Sequence, residues 1–179
     1  MDFLYSINYA ELIQQSQYTG LIIFMIAFLE TLLLVGFIFP GSVALVAIGG
    51  LVATGALDLW PTLFWAFAGA VVGDNLSFWI GVYFKKPLKH SRLYARHEVA
   101  FIKGEKFFDK YGIYSVALGR FVGPIRAVIP AIAGSMGMSG KIFFVVNVFS
   151  ALIWAPAYIL PGVIFGDLYS HLEQYIEIK

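Results

Sequence analysis

Residues 111–140, YGIYSVALGRFVGPIRAVIPAIAGSMGMSG, would read as membrane throughout but for Arg120 and Arg126. No other residue in Tyr111–Gly140 is charged. The same isolation recurs elsewhere: Glu30 is the lone charge in Tyr18–Phe39, and Asp74 in Leu59–Phe84. A charge at bilayer depth costs roughly 2.5–3.5 kcal/mol on insertion scales, so the four together come to roughly 10 kcal/mol. That matches the whole stability of an ordinary domain. Such residues persist when they pair, line a wet cavity or handle a charged substrate.

The surrounding composition supports a membrane setting. Of 179 residues, 60% are hydrophobic and 13% charged, against roughly 25% charged in ordinary soluble domains. Mean hydropathy is +0.81. The chain has no cysteine, which excludes disulfides, thiolate nucleophiles and cysteine metal sites. Of twelve Lys and Arg, eight fall within Lys85–Lys110 and none in residues 1–84. The N-terminus lacks the basic region of a cleaved signal and reads as mature chain.

Outward from the two arginines, the apolar pattern divides into segments. In residues 1–17, Phe3, Leu4, Ile7, Leu12 and Ile13 fit one face of a short interfacial helix, and equally a frayed end. Gly20–Phe39 is long enough to span the hydrocarbon, and Pro40-Gly41 breaks it. Ser42–Thr54 is apolar but too short to cross, which suits a re-entrant half-helix. After a polar turn at Gly55–Pro61, Thr62–Phe84 reads as a transmembrane helix, with Gly69, Gly73 and Gly81 spaced for close backbone approach. Lys85–Lys110 is basic and partly amphipathic. Tyr111–Ile132 is apolar but interrupted by Gly119, Gly123, Pro124 and Pro130. Proline removes an amide donor, and lipid cannot satisfy the freed groups, so this segment must be buried in protein or face water. Ile142–Phe165 reads as the last spanning helix, followed by an acidic tail.

The two halves share an order. Pro40 precedes Gly50 by ten residues, as Pro124 precedes Gly134, and each is followed by a turn and a long apolar helix. Paired interrupted segments of this kind mark the binding site of transporters built from inverted repeats. Charge placement agrees. If each broken segment dips in and returns, the basic linker lies on the cytoplasmic side, as the positive-inside rule requires, and both acidic termini lie outside. The expected fold is therefore an all-α membrane protein. It is an inverted repeat of a re-entrant helical hairpin plus a transmembrane helix, with a basic cytoplasmic amphipathic linker. A single membrane domain covers residues 1–179, with half-repeats 18–84 and 111–166 around the linker 85–110.

Arg120 and Arg126 are the substrate-binding candidates. Six residues apart, they fall on different faces of a straight helix, but the Gly123-Pro124 break can turn both to one cavity. A planar guanidinium suits phosphate or carboxylate. The same four charges also fit two structural ion pairs. Glu30 and Asp74 are the proton-coupling candidates, because burial and a nearby arginine act in opposite senses on a carboxylate. Pro40, Gly41, Gly50, Pro124 and Gly134 are the structural or hinge positions, and Ser42 and Asn147 supporting residues. The four Trp read as interface anchors. His90, His97 and His171 lack metal-ligand spacing, so no metal or other cofactor is expected. No nucleophile elbow, P-loop, dinucleotide fingerprint or HExxH pattern occurs, and no catalytic residue is assigned.

Glu30, the Phe-Pro-Gly of Phe39–Gly41, Gly49-Gly50, Gly55, Gly73-Asp74 and Gly81 resemble the first half of the DedA family, whose repeat also defines VTT-domain proteins. Tyr111-Gly112, Arg120-Phe121, Pro124, Arg126, Ala133-Gly134, Met138, Phe143, Asn147 and Trp154 resemble its second half in order and spacing. The resemblance covers about residues 18–166. It implies a multi-pass protein of the bacterial inner membrane with two re-entrant hairpins. It further implies movement of undecaprenyl phosphate or a phospholipid, dependence on proton-motive force, and roles for Glu30, Arg120 and Arg126. Ser42 stands where many members carry an acidic residue.

The function expected is thus a lipid-phosphate transporter supporting envelope homeostasis, not an enzyme. Its partners would be anionic membrane lipids and protons, without nucleic acid, and a homo-oligomer stays open. The rivals are a proton-coupled carrier of small ions or drugs, and a non-transporting scaffold.

Overall fold

The computed structural model describes the backbone of residues 9–33, 41–84 and 95–177, and their side chains except at 9–17, 124 and 170–177. The basic run 85–94 and Pro40 lie outside the described residues. All the described regular structure is helical: α1 (Tyr9–Thr31), α2 (Gly41–Ala53), α3 (Leu59–Tyr83), α4 (Glu98–Tyr111), α5 (Tyr114–Gly119), a 3-10 turn (Gly123–Ile125), α6 (Ile129–Ser135) and α7 (Gly140–Glu177). Within these residues α3 and the Gly140–Tyr169 part of α7 are long and apolar enough to cross a membrane.

Helix α3 explains the arrangement. Its buried stripe is Thr62, Ala66, Gly69, Ala70, Gly73, Asp74, Ser77 and Gly81, with Phe78 the one large apolar member. Phe64, Val72, Leu76 and Trp79 point outward. Large apolar side chains face out and small or polar ones face in, the reverse of a soluble core. Without a hydrophobic drive between helices in lipid, association comes from close packing of small residues and interhelical hydrogen bonds.

The small residues mark where backbones cross. Helix α1 packs most extensively on α3, where Gly69 abuts the Phe24 carbonyl and Gly73 the Phe28 carbonyl and Thr31. Helix α2 lies along α7: Gly49 meets the Ile159 carbonyl and Gly162 the Val46 carbonyl. Helix α6 lies along α3: Gly134 meets the Phe78 carbonyl and Gly81 the Ala131 carbonyl. Each short helix thus packs against the long helix of the other half. Gly50 and Gly134, read from sequence as hinge positions, both lie inside helices; Gly134 sits at a crossing, whereas a Cβ on Gly50 would meet nothing within 4 Å.

Several boundaries differ from the sequence reading. Gly20–Phe39 is not one helix: α1 starts at Tyr9 and ends at Thr31, well before Pro40. The break is stabilised from α3. Ser77 Oγ donates to the Thr31 carbonyl at 3.3 Å and accepts the Leu33 amide at 2.9 Å. One hydroxyl so replaces two helical partners at a depth where water is scarce. The last helix does not stop at Phe165; α7 continues to Glu177, with Pro156 and Pro161 inside it. At the interrupted second segment the backbone satisfies itself through tight turns: the amides of Ile125 and Arg126 donate to the Val122 carbonyl at 3.1 and 3.3 Å, and that of Val128 to Ile125 at 3.0 Å.

Candidate functional site

The four isolated charges meet as two pairs. Arg120 caps α5, and its Nη2 reaches across to the Asp74 carboxylate in the middle of α3. The same nitrogen donates to Asn147 Oδ1 of α7 at 2.6 Å, and Asn147 Nδ2 donates to the Val71 carbonyl of α3 at 3.2 Å. Arg120, Asp74 and Asn147 are all buried. This pair ties three helices together through one guanidinium.

Arg126 follows the 3-10 turn that the Gly123-Pro124 break creates. Its Nη2 lies 2.5 Å from Glu30 Oε1, a close ion pair, and Glu30 Oε2 lacks a hydrogen-bond partner. The Arg126 side chain keeps 15% of its surface exposed, against 6% for Arg120. Glu30 sits in the last turn of α1 with its carboxyl against Gly41, where any Cβ would strike it. Gly41 opens α2, so the carboxylate occupies the N-terminal end of that helix, where backbone dipoles favour an anion. Ser42 also turns its hydroxyl and backbone amide to Glu30.

The pairs join at Trp154. Both guanidinium carbons lie 5.7 Å from its ring centre, and that of Arg126 is 5.8 Å from the Tyr158 ring, within cation–π range. Trp154 is fully buried, so it is not an interface anchor, contrary to the sequence reading; Trp60 and Trp79, by contrast, are exposed. Its position halfway along the apolar run Ile142–Phe165 was the overlooked signal, since anchoring Trp sit at span ends. Tyr158, Ser77 and Thr31 were likewise missed, because their roles depend on which helix lies opposite.

Between the arginines lies a hollow of about 10 Å³ lined by Thr31, Asp74, Val116, Arg120, Arg126, Ile129 and Pro130. That volume holds about one water. Arg120 Nη1 and Trp154 Nε1 are buried donors without a hydrogen-bond partner. Both arginines line this hollow, as the Gly123-Pro124 break allows, but the space between them is nearly closed.

A VTT-domain model matches residues 39–164. The chain is 35% identical over 153 residues to the inner membrane protein YabI of Escherichia coli (strain K12), covering 86% of this chain and 60% of that one. It is 32% identical over 175 residues to an uncharacterized membrane protein of Buchnera aphidicola subsp. Baizongia pistaciae (strain Bp), covering 98% and 66%. It is 32% identical over 152 residues to the protein DedA of Escherichia coli (strain K12), covering 82% and 68%. The chain therefore spans about 60% of the length of YabI. No solved structure matches it.

Proposed function

The chain belongs to the VTT-domain, DedA-type family of membrane proteins, and from that premise we propose that it translocates a lipid bearing a phosphate headgroup, undecaprenyl phosphate or a phospholipid, across the bacterial inner membrane in a proton-coupled step. The observation that carries this reading is the convergence of Arg120 and Arg126 on one hollow with buried donors still unmatched. An unpaired donor such as Arg120 Nη1 is costly at such depth, and a phosphate oxyanion supplies acceptors for it and for an Arg126 released from Glu30.

The charge balance of the site supports proton coupling. Glu30, Asp74, Arg120 and Arg126 sum to zero formal charge, so the closed site has no net attraction for an anion. A proton taken up by Glu30 releases Arg126, whose fork then meets the phosphate. Arg120 stays fixed by Asp74 and Asn147 and offers its unpartnered Nη1. The hollow is too small for a phosphate group, so the closed arrangement must open at the broken second segment. The reciprocal packing of α2 on α7 and α6 on α3 supports an inverted repeat in which one half rocks against the other. The outward-facing large apolar residues of α3 and α7 support a multi-pass placement.

The test is translocation of a labelled polyprenyl phosphate in proteoliposomes. Flipping above that of empty vesicles and faster with an imposed proton gradient is expected; a rate equal to empty vesicles at every pH overturns the reading. Arg126→Lys lowers the rate about tenfold, because an ammonium loses the planar fork, and an unchanged rate would argue against two-point contact. The closeness of the hollow, sized for water rather than a headgroup, is what favours a carrier of small ions instead. Uptake of a soluble ion with no competition from lipid phosphate would decide for that alternative.

A further inference from the structure

Across the 3-10 turn from the charged hollow lies a much larger space. It is an open cleft of about 680 Å³ between the residues leading into α4 and the turn Gly123–Ile125. Its apolar wall is Val99 and Ala100 on one side and Val122 and Ile125 on the other. Its ionic lining is Arg96, His97, Glu98 and Lys103, two permanent cations to one permanent anion. Pockets for drug-sized ligands run to roughly this size.

The neighbouring surface says what fills it. Helix α4 buries Phe101 and Gly104, the latter against Val128 and Ile132. On its exposed side Val99 and Ile102 stand beside Lys103 and Lys106. Exposed apolar residues interleaved with lysines on one helix are the pattern of an element lying in the headgroup layer. The turn is a shared wall: Val122 and Ile125 line the cleft, while Arg126, the next residue, lines the inner hollow with Ile129 and Pro130. Gly123 holds a φ of +27° in that wall, a conformation that favours glycine.

We propose that this cleft is the docking site for the phosphate headgroup of a membrane lipid, with Arg96 and Lys103 holding the phosphate and the Val99–Val122–Ile125 wall taking the first methylenes of its tail. Resting on the function proposed above, the headgroup then passes to Arg126 on the far side of the same turn. The docking step itself stands without that hand-off.

The experiment places the protein in phosphatidylcholine nanodiscs and labels it with a phosphatidic acid carrying a diazirine near the headgroup. Covalent adducts are expected within 95–103 and 122–125, competed by unlabelled phosphatidic acid but not by phosphatidylcholine or inorganic phosphate. The double variant Arg96→Ala, Lys103→Ala, at two exposed positions, should cut this labelling about tenfold or more at limiting probe. Equal labelling by a diazirine phosphatidylcholine, adducts elsewhere only, or labelling unmoved by the double variant would overturn the proposal, and competition by inorganic phosphate would make it a site for the free ion instead. Specific labelling without translocation in vesicles would leave the cleft in place and sink the transport reading; translocation without labelling here would do the reverse.

Discussion

Arg120 and Arg126 are six residues apart in one broken segment, yet their surroundings differ in kind. Arg120 is buried, paired with Asp74, bonded to Asn147 and so tied to α3 and α7 at once. Arg126 sits beyond a three-residue turn, faces a Glu30 carboxylate with one oxygen unmatched, and keeps part of its side chain exposed. The first arrangement resists change because every move breaks several contacts. The second can exchange partners, because among the described residues Arg126 has no side-chain hydrogen bond like that of Arg120 to Asn147 and is more exposed. A site needs both: a fixed cation for geometry and a releasable one for turnover.

The contrast can be broken by removing partners in turn. Asp74→Asn should have the largest effect, leaving a buried guanidinium without its counter-charge at about 3–5 kcal/mol. Thermal unfolding in detergent would register it as a large loss of melting temperature and of monodisperse protein. A stability close to that of the unaltered chain would mean that Arg120 is not locked. Asn147→Ala should come next, at about 1–3 kcal/mol, since it orphans one guanidinium contact and one bond to the Val71 carbonyl. Its effect should shrink when Asp74 is already changed, because the two share one nitrogen of Arg120. Glu30→Gln should be the mildest in stability, about 1 kcal/mol, while making transport insensitive to an imposed proton gradient. A Glu30→Gln variant as unstable as Asp74→Asn would erase the distinction between the two centres.

Much of the fold can be read directly from the chain. Pro40-Gly41 before an apolar stretch, and Gly55 after it, bound α2 almost to the residue. The stripe of Gly69, Gly73 and Gly81 correctly marks the face of α3 on which other backbones approach. The end of α1 was not legible, because the group that stabilises it, Ser77, lies 44 and 46 residues away from the atoms it bonds. The continuation of α7 past Phe165 was hidden because the signal read was apolarity, which ends where the acidic tail begins, while the helix runs on to Glu177. In the site, the isolation of Glu30, Asp74, Arg120 and Arg126 singled them out without coordinates, whereas Trp154 was misplaced. An aromatic ring is equally at home at a membrane surface and between two cations, and only its neighbours tell which.

Sequence alone determined that four ionic groups lie in apolar surroundings, that a glycine–proline break separates the two arginines, and that small residues line one face of a spanning helix. These follow from composition and local spacing, since desolvation and backbone chemistry act on each segment by itself. Only the tertiary structure decided that Asp74 takes Arg120 and Glu30 takes Arg126, that a single indole lies beside both cations, and that the space between them is nearly closed. Those outcomes depend on how helices from distant parts of the chain cross. The crossings are set by backbone contact at Gly49, Gly81, Gly134 and Gly162, to which no single segment holds the key.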